Sequence, residues 1–335
     1  MSADCADFGT AGGHMVFRSG YQGTVGESVS LSGIGVHSGQ AATMTIHPSD
    51  EDTGIIFLRT NLPGSRDIEI KADWSAISAT ALCTVLGDPK GAFVSTVEHA
   101  LAALRALGVD NALIEVDGPE VPIMDGSSAA FVDAIDSVGV VQQSRRRKVL
   151  RILKPVRVEA GDAFGELRPY AGSRFEVSID YDHGSIGHQS MEFDLTSDGF
   201  RDDISRARTF GFLKDVEHLW ANNFALGSSL ENAVVLGDDD IVNPEGPRWS
   251  DEFVRHKILD SIGDLALAGL PIEGCYRSHK GGHKLNFTMM KALFADPTAY
   301  EIVDGRQTAE RVRRERAGDE VNVRLEAAAL LPETN

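Results

Sequence analysis

The stretch FVRHKILDSIGD, Phe253 to Asp264, constrains the fold more than any other part of the chain. Apolar residues recur along it at helical spacing and form one stripe: Ile258, Ile262 and Leu265. Three polar residues lie at i, i+4 and i+8 on nearly the opposite face: His256, Asp260 and Asp264. At about 100° per residue, this pattern predicts a helix that packs through one face and presents polar groups on the other.

His256 and Asp260 can bind the same cation, because side chains four residues apart project from adjacent turns of a helix. Neutral imidazole and carboxylate are ligands that Zn²⁺ accepts. The spacing is also common on ordinary polar helix faces, and two ligands do not complete a tetrahedral site. Taken alone, the pattern therefore favours a solvated face over a metal site.

Both halves of the chain combine several strand-like segments with two principal helical patterns. The first half contains an Ala/Leu-rich helix from Ala100 to Gly108 and a second helix from Ala129 to Val138. The second half contains the helix described above and a last helix that begins near His283. Strands grouped with few helices favour α+β layers over a doubly wound parallel sheet. We therefore predict an α+β fold of two similarly built domains, each a layered sheet with two principal helices.

The sharpest change in composition is the run QQSRRRK, residues 142–148. Four adjacent cations could bind phosphate, but no aromatic residue interleaves with them, so we interpret the run as a solvated linker. The predicted divisions are a loose leader, an N-terminal α+β domain, a basic linker, a C-terminal α+β domain with an insert, and a tail: residues 1–20, 21–143, 144–148, 149–296 and 297–335.

Composition excludes several classes of partner. The net charge of −18 argues against general binding to nucleic acid or to an anionic membrane. Three cysteines without CxxC spacing, Cys5, Cys83 and Cys275, indicate reduced thiols in a cytosolic protein. The sequence contains no secretory signal pattern and no apolar run of membrane-spanning length. We expect a cytoplasmic monomer that acts on a small molecule.

Glu98 and His99 precede the first helix. Ser95 and Glu98 have the spacing of a capping box, in which the carboxylate accepts from an amide at the helix start. Judged by this segment alone, helix capping is the better interpretation of Glu98, and His99 could equally be a boundary residue.

The chain resembles one family across roughly residues 20–295: the zinc-dependent UDP-3-O-acyl-N-acetylglucosamine deacetylases of lipid A biosynthesis. The motifs occur in the family's order in both halves. They are GIGVHSG at 33–39, TVEH at 96–99, DNA at 110–112, EVDGPE at 115–120, PIMDGS at 122–127, SRARTFGF at 205–212, FVRHKILDSIGD at 253–264 and GH at 282–283.

This resemblance implies that a zinc ion is held by His99, His256 and Asp260, with a fourth position open to water. Fe²⁺ can replace Zn²⁺ in such a site, so the physiological ion stays open. Glu98 is then the general base rather than a helix cap. We expect the two domains to form a β-α-α-β sandwich. Because the ligands come from both halves, the active site should lie between the two domains.

The resemblance also implies the reaction, which is hydrolysis of the N-acetyl group of UDP-3-O-acyl-N-acetylglucosamine with release of acetate. A cationic His283, oriented by Asp264, would stabilise the oxyanion and protonate the sugar nitrogen. Thr209 would add a hydrogen bond and Lys257 positive charge. A single bifunctional carboxylate is the alternative to this acid/base pair. We prefer the pair, since a cation suits the developing negative charge better than a glutamate does.

For the substrate, the resemblance places the uridine and diphosphate near Asp180, Tyr181 and Lys280, and the acyl chain in a passage built by residues 210–228. His37 would lie at the mouth of this passage. Phe210 would begin the passage and also bind substrate. The apolar lining would come from five residues, each of which could instead belong to the ordinary core: Phe212, Leu213, Val216, Leu219 and Ala225.

Three positions bear on these expectations. Ala163 stands where some members of the family have a lysine that contacts the nucleotide. Ser228 replaces a family glycine beside the passage, which would alter the accepted chain length. Cys83 aligns near the catalytic cavity, where a thiol could capture a second, inhibitory metal or pack as a small apolar residue.

Two other functions compete with this interpretation. One is a different zinc amidase or protease that uses the same water activation, although the metalloprotease signature H-E-x-x-H is absent from the chain. The other is a non-catalytic protein of the same fold that binds metal or acylated nucleotide. The presence of the full set of catalytic residues favours the deacetylase.

Overall fold

The structure is a computed structural model that describes residues 20–64 and 66–305. Its strands are Tyr21–Val25 (β1), Val29–Ile34 (β2), Ala41–Pro48 (β3), Ile55–Arg59 (β4), Ile68–Lys71 (β5), Ile77–Ala79 (β6), Val85–Gly87 (β7), Phe93–Ser95 (β8), Ala112–Val116 (β9), Val140–Arg146 (β10), Lys148–Ile152 (β11), Val156–Ala160 (β12), Ala163–Arg168 (β13), Ser173–Tyr181 (β14), Gly187–Asp194 (β15), Phe210–Phe212 (β16), Val234–Leu236 (β17), Ile272–His279 (β18) and Tyr300–Asp304 (β19).

The α-helices are Glu98–Leu107 (α1), Ala129–Val138 (α2), Ser197–Gly199 (α3), Val216–Ala221 (α4), Glu252–Ala266 (α5) and His283–Ala295 (α6). Two 3₁₀ turns span Trp74–Ala76 and Leu213–Asp215, and a π turn spans Phe200–Ile204. The predicted leader, apart from Gly20, and the tail after residue 305 lie outside the described residues.

The first half is built on a five-stranded sheet of order β2-β3-β9-β4-β5. Alternate residues of β3 are buried, with Met44 and Ile46 fully so, because one face of the sheet belongs to the core and the other faces solvent. Two small sheets, β1-β10 and β6-β7-β8, flank it. Helix α1 is almost wholly buried and ends at Gly108, whose φ of 81° is the left-handed conformation that ends helices.

The second half is built on a seven-stranded mixed sheet. Its path runs β12-β13-β18-β11-β19. Strand β14 also pairs with β18, and β15 pairs with β14. β18 is the central strand, parallel to β11 and β14 and antiparallel to β13. Its side chains are buried along most of its length, as expected of a strand covered on both faces. Strands β16 and β17 form a separate parallel pair.

The helices of the two halves meet between the sheets. Helix α1 packs along α5, α2 contacts α1, and α6 contacts α5. At Gly263 the two central helices come so close that a Cβ would overlap the carbonyl oxygen of Glu98. Side chains of both halves form one continuous core. The predicted α+β fold is confirmed.

The structure corrects the basic linker predicted for residues 144–148. Residues 140–146 form β10, which pairs with β1 through Tyr21↔Arg146, and Lys148 begins β11. Between them Arg147 is buried and donates through Nε and Nη2 to Asp110, at 2.8 and 2.7 Å. The arginine side chains of β10 remain exposed while its backbone pairs, which charge composition alone does not reveal. The two-domain division itself stays a prediction.

Strands β11 and β12 are interrupted around Pro155, which has no amide hydrogen to donate. One further boundary differs from the prediction. The predicted tail from residue 297 begins inside the fold, because β19 pairs antiparallel with β11.

Candidate active site

A cluster of two histidines and one aspartate lies where α1 and α5 meet. His99 is the second residue of α1, and His256 and Asp260 lie one turn apart on α5. Asp260 Oδ1 is 3.3 Å from His256 Nε2 and 3.7 Å from His99 Nε2. One ligand atom from each residue lies within 4.8 Å of the others, and all three side chains are buried. The close approach of the helices at Gly263 brings the two halves of this cluster together.

The donor set fits a divalent metal ion. The His256 Nδ1–H donates to the carbonyl oxygen of Ala207 at 2.9 Å, which leaves Nε2 free as a ligand. Burial lowers the pKa of His256 to about 3, so its ring is neutral. Burial opposes ionisation of Asp260, but the positive charge of Lys257 helps to hold its pKa well below the usual value. Lys257 Nζ donates to Asp260 Oδ2 at 2.8 Å, leaving Oδ1 toward the histidines.

Glu98 lies beside this cluster as the first residue of α1 and is buried. Its Oε2 accepts from the backbone amide of Thr84 at 3.2 Å, and its Oε1 lies 3.7 Å from His283 Nε2. Burial raises the pKa of Glu98 to about 7. Helix α1 is capped at Val97 without a side-chain hydrogen bond, so the capping interpretation of Glu98 is wrong.

His283 is the first residue of α6 and faces Glu98 from the second half of the chain. Its Nδ1–H donates to Asp264 Oδ2 at 2.8 Å. Burial opposes a positive charge on the ring, but Asp264 and Glu98 raise the pKa of His283 to about 10. The site therefore presents a carboxylate that titrates near neutral pH opposite a cationic imidazole.

Two residues that the sequence analysis did not single out hold Asp264. Thr84 Oγ1 donates to Oδ1 at 2.6 Å, and Asn286 Nδ2 donates to Oδ2 at 2.7 Å. The amide oxygen of Asn286 accepts from the hydroxyl of Tyr276 at 2.5 Å. Asn286 lies one turn beyond His283 on α6, a spacing that could have indicated it; nothing in the local sequence indicates Thr84.

Glu120, in the EVDGPE motif, is a further residue without an assigned role. Its buried carboxylate accepts from the amides of His37 and Ser38 at 2.8–3.2 Å and from Thr96 Oγ1 at 2.7 Å. These hydrogen bonds join the GIGVHSG motif, which contains His37, to the segment that precedes Glu98. His37 itself contacts the Phe224 ring edge-on at 5.4 Å between centroids.

A cavity of about 630 Å³ opens over the cluster, a size that suits a small-molecule ligand. Its wall includes most of the residues predicted for catalysis and substrate binding: His37, Glu98, Tyr181, Thr209, Phe210, Phe212, Leu219, Ala225, His256, Lys257, Asp260 and His283. Ser228 also lines it. Thr209 is held there by its amide, which donates to the carbonyl oxygen of Gly126 at 2.8 Å.

Four residues predicted to bind substrate lie outside this wall: Asp180, Leu213, Val216 and Lys280. Leu213 begins a 3₁₀ turn that leaves its side chain 53% exposed, and Val216 is half-buried on the following helix. Lys280 Nζ pairs with Asp180 at 3.2 Å and with Asp162 at 2.8 Å, beside Ala163. Cys83 is buried with a free thiol.

The chain is similar to known proteins over most of its length. The family model LpxC, UDP-3-O-acyl N-acetylglycosamine deacetylase, matches residues 22–295. The chain belongs to the LpxC family. Proteins named UDP-3-O-acyl-N-acetylglucosamine deacetylase from Brucella ovis and Brucella canis are each 55% identical over 285 residues, which are 85% of this chain and 99% of theirs. The protein of that name from Brucella melitensis biotype 2 is 54% identical over the same shares.

The LpxC match spans both halves of the chain and therefore every residue of the His99, His256 and Asp260 cluster. Across residues 20–64 and 66–305, every helix is too short or too polar to cross a membrane.

Proposed function

We propose that this protein hydrolyses the N-acetyl group of UDP-3-O-acyl-N-acetylglucosamine and releases acetate, the deacetylation step of lipid A biosynthesis. Membership of the LpxC family gives the reaction. The observation that carries the proposal for this chain is the cluster of two histidines and an aspartate, which lies beside an acid/base pair, Glu98 and His283. All of these residues except His99 line the cavity.

His99, His256 and Asp260 would hold the metal ion. Two neutral imidazoles and a carboxylate are the donors that Zn²⁺ takes in catalytic sites, and Fe²⁺ accepts the same set. When bound, such an ion supplies Lewis acidity to the amide carbonyl and acidifies water. The positive charge of Lys257, fixed 2.8 Å from Asp260, lies next to the place where negative charge develops.

The chain's own groups move the protons. Glu98 is the general base, because a carboxylate with a pKa near 7 can accept a proton from water at neutral pH. His283 remains protonated up to about pH 10, so it can stabilise the oxyanion and then donate its Nε2 proton to the departing sugar nitrogen. Asp264 holds the ring by its Nδ1–H, and Thr209 lines the same cavity.

The cavity also supports separate binding places for the acyl chain and the nucleotide of the substrate. Its apolar side, formed by Phe210, Phe212 and Leu219, suits an acyl chain. Tyr181 lies at its edge on β14, next to Asp180 and its ion pair with Lys280, where we place the nucleotide. We further propose that the protein works as a monomer in the cytoplasm, since its acidic composition and unpaired thiols fit that compartment.

Acetate release from UDP-3-O-acyl-N-acetylglucosamine by the metal-loaded protein tests this proposal. The expected result is steady acetate formation by the wild-type protein and none by His256→Ala. Equal release by both proteins, or release by neither, would overturn the proposal. Peptide amides serve as the contrasting substrates, and their turnover without regard to the UDP group would point to a different amidase.

A further inference from the structure

Thr84 contacts both carboxylates that control proton transfer. Its backbone amide donates to Glu98 Oε2 at 3.2 Å, and its hydroxyl donates to Asp264 Oδ1 at 2.6 Å. Glu98 belongs to the first half of the chain, whereas Asp264 and the histidine it orients belong to the second. One buried residue, 1% exposed, therefore connects the proposed base to the support of the proposed acid.

The fold fixes Thr84 in this place. Strands β7 and β8 pair through Val85↔Ser95, which sets the residue before β7 beside the segment that leads into α1. Leu82 has a φ of 67°, so the chain turns sharply just before Cys83 and Thr84. A bulky residue held in this conformation stores strain that the surroundings must offset, a situation common at functional sites.

The hydrogen bonds of Asp264 show what the hydroxyl does. Oδ2 accepts from His283 at 2.8 Å and from Asn286 at 2.7 Å, while the described partner of Oδ1 is Thr84. With donors on both oxygens the carboxylate cannot rotate, and the imidazole that it holds keeps its direction. Without the Thr84 hydroxyl, Oδ1 is a buried acceptor that has lost its donor, and the carboxylate gains freedom to turn.

We propose that Thr84 is a positioning residue that fixes the Glu98 carboxylate and the His283 imidazole relative to each other, although the two groups come from different halves of the molecule. This inference rests on the proposed function of both groups. Thr84 belongs neither to the cavity wall nor to the cluster of His99, His256 and Asp260; it acts through Asp264 and Glu98. Its loss should slow the chemical step and leave substrate binding and metal binding as they are.

The test compares Thr84→Val, Thr84→Ser and wild-type protein in the acetate-release assay, with metal content and thermal unfolding measured on each sample. Valine keeps the shape and the backbone amide but removes the hydroxyl, and serine restores it. Partners that orient catalytic groups are worth roughly 10- to 100-fold in activity, so kcat of Thr84→Val should fall by about 10-fold or more. KM and metal content should stay unchanged, and Thr84→Ser should recover most of the lost kcat.

Thr24→Val is the matched control, because Thr24 is also buried and donates its hydroxyl at 2.7 Å, but to the carbonyl oxygen of Asn111 and away from the site. Its kcat should equal that of the wild type. Wild-type kcat in Thr84→Val, an equal loss in Thr24→Val, or no recovery in Thr84→Ser would each overturn the inference. If Thr84→Val does not fold, Thr84→Ala is judged by the same criteria. Absence of acetate release from the wild type would instead overturn the proposed function.

Discussion

At the scale of single residues, burial decides the chemistry of the candidate site. It makes His256 a neutral donor and gives Glu98 a pKa of about 7, while the neighbouring carboxylates keep His283 protonated to about pH 10. Three ionisable groups of the candidate site, His256, Glu98 and His283, therefore hold three different protonation states at neutral pH. Their environments separate them, as expected where one group must bind metal, one must accept a proton and one must donate it.

Replacing Glu98 by Gln should lower kcat by about 10²- to 10⁴-fold, the usual contribution of a general base, because the amide cannot accept the proton. The metal content should not change, since Glu98 is not part of the ligand cluster. Asp260→Ala is the paired variant, and it should lose metal. Metal analysis and acetate release on the same samples measure both effects. Loss of metal from the Glu98 variant would mean that Glu98 is a ligand and not the base.

The pH dependence of kcat/KM should be bell-shaped, because this ratio reports the acid and the base of the free enzyme. The rate rises with pH as Glu98 loses its proton around pH 7, because only the carboxylate can act as a base. It falls again near pH 10, where His283 loses the proton that it must donate. His283→Gln should have a low rate without the alkaline fall. A wild-type rate that stays level above pH 10 would contradict the acid role of His283.

The backbone at Thr96 explains why the capping interpretation of Glu98 is wrong. Ser95 and Glu98 have capping-box spacing, but Thr96 between them has a φ of 56°. The left-handed turn sends the Ser95 hydroxyl to the carbonyl oxygen of Pro119 at 3.1 Å, so the reciprocal capping bonds cannot form. Local spacing does not carry that backbone conformation, and the resemblance to a family was needed to assign Glu98 as the base.

At the scale of elements, the distances within the cluster of His99, His256 and Asp260 depend on how closely α1 and α5 pack. The sequence predicted α5 well, since residues 253–264 have a helical period and the helix spans Glu252–Ala266. It failed for β10, because the partner of that strand is β1, far away in the chain. Helical periodicity is a local signal, whereas strand pairing joins distant segments and leaves little trace in composition.

Gly263→Ala should disturb the contact between the two central helices. The added Cβ would overlap the carbonyl oxygen of Glu98, and backbone cannot move aside as a side chain can. The free energy of unfolding should fall by about 3 kcal/mol, at the upper end of overpacking costs, and metal affinity should fall with it. Urea unfolding and metal titration measure the two effects.

Gly184→Ala is the matched control for this substitution, because a Cβ at Gly184 would make only an ordinary contact 3.9 Å from the carbonyl oxygen of Asp239. Its urea midpoint should equal that of the wild type. Unchanged stability and metal affinity in Gly263→Ala would contradict the view that helix spacing sets the metal cluster.

At the scale of the whole molecule, the candidate site belongs to neither half alone. His99 and Glu98 come from the first half, and His256, Asp260 and His283 from the second. The resemblance to the deacetylase family predicted this division, because it assigned ligands to residues of both halves. The sequence could not predict the strand order of the sheets or the hydrogen bonds of Thr84, since these depend on how the halves fit together.

The most direct test of the account is acetate release from UDP-3-O-acyl-N-acetylglucosamine before and after removal of metal with a chelator. The account predicts that release stops when the metal is removed and returns on titration with Zn²⁺, reaching its plateau at about one ion per chain, as expected for a single catalytic site. Release that continues in the chelated, metal-free protein would contradict it.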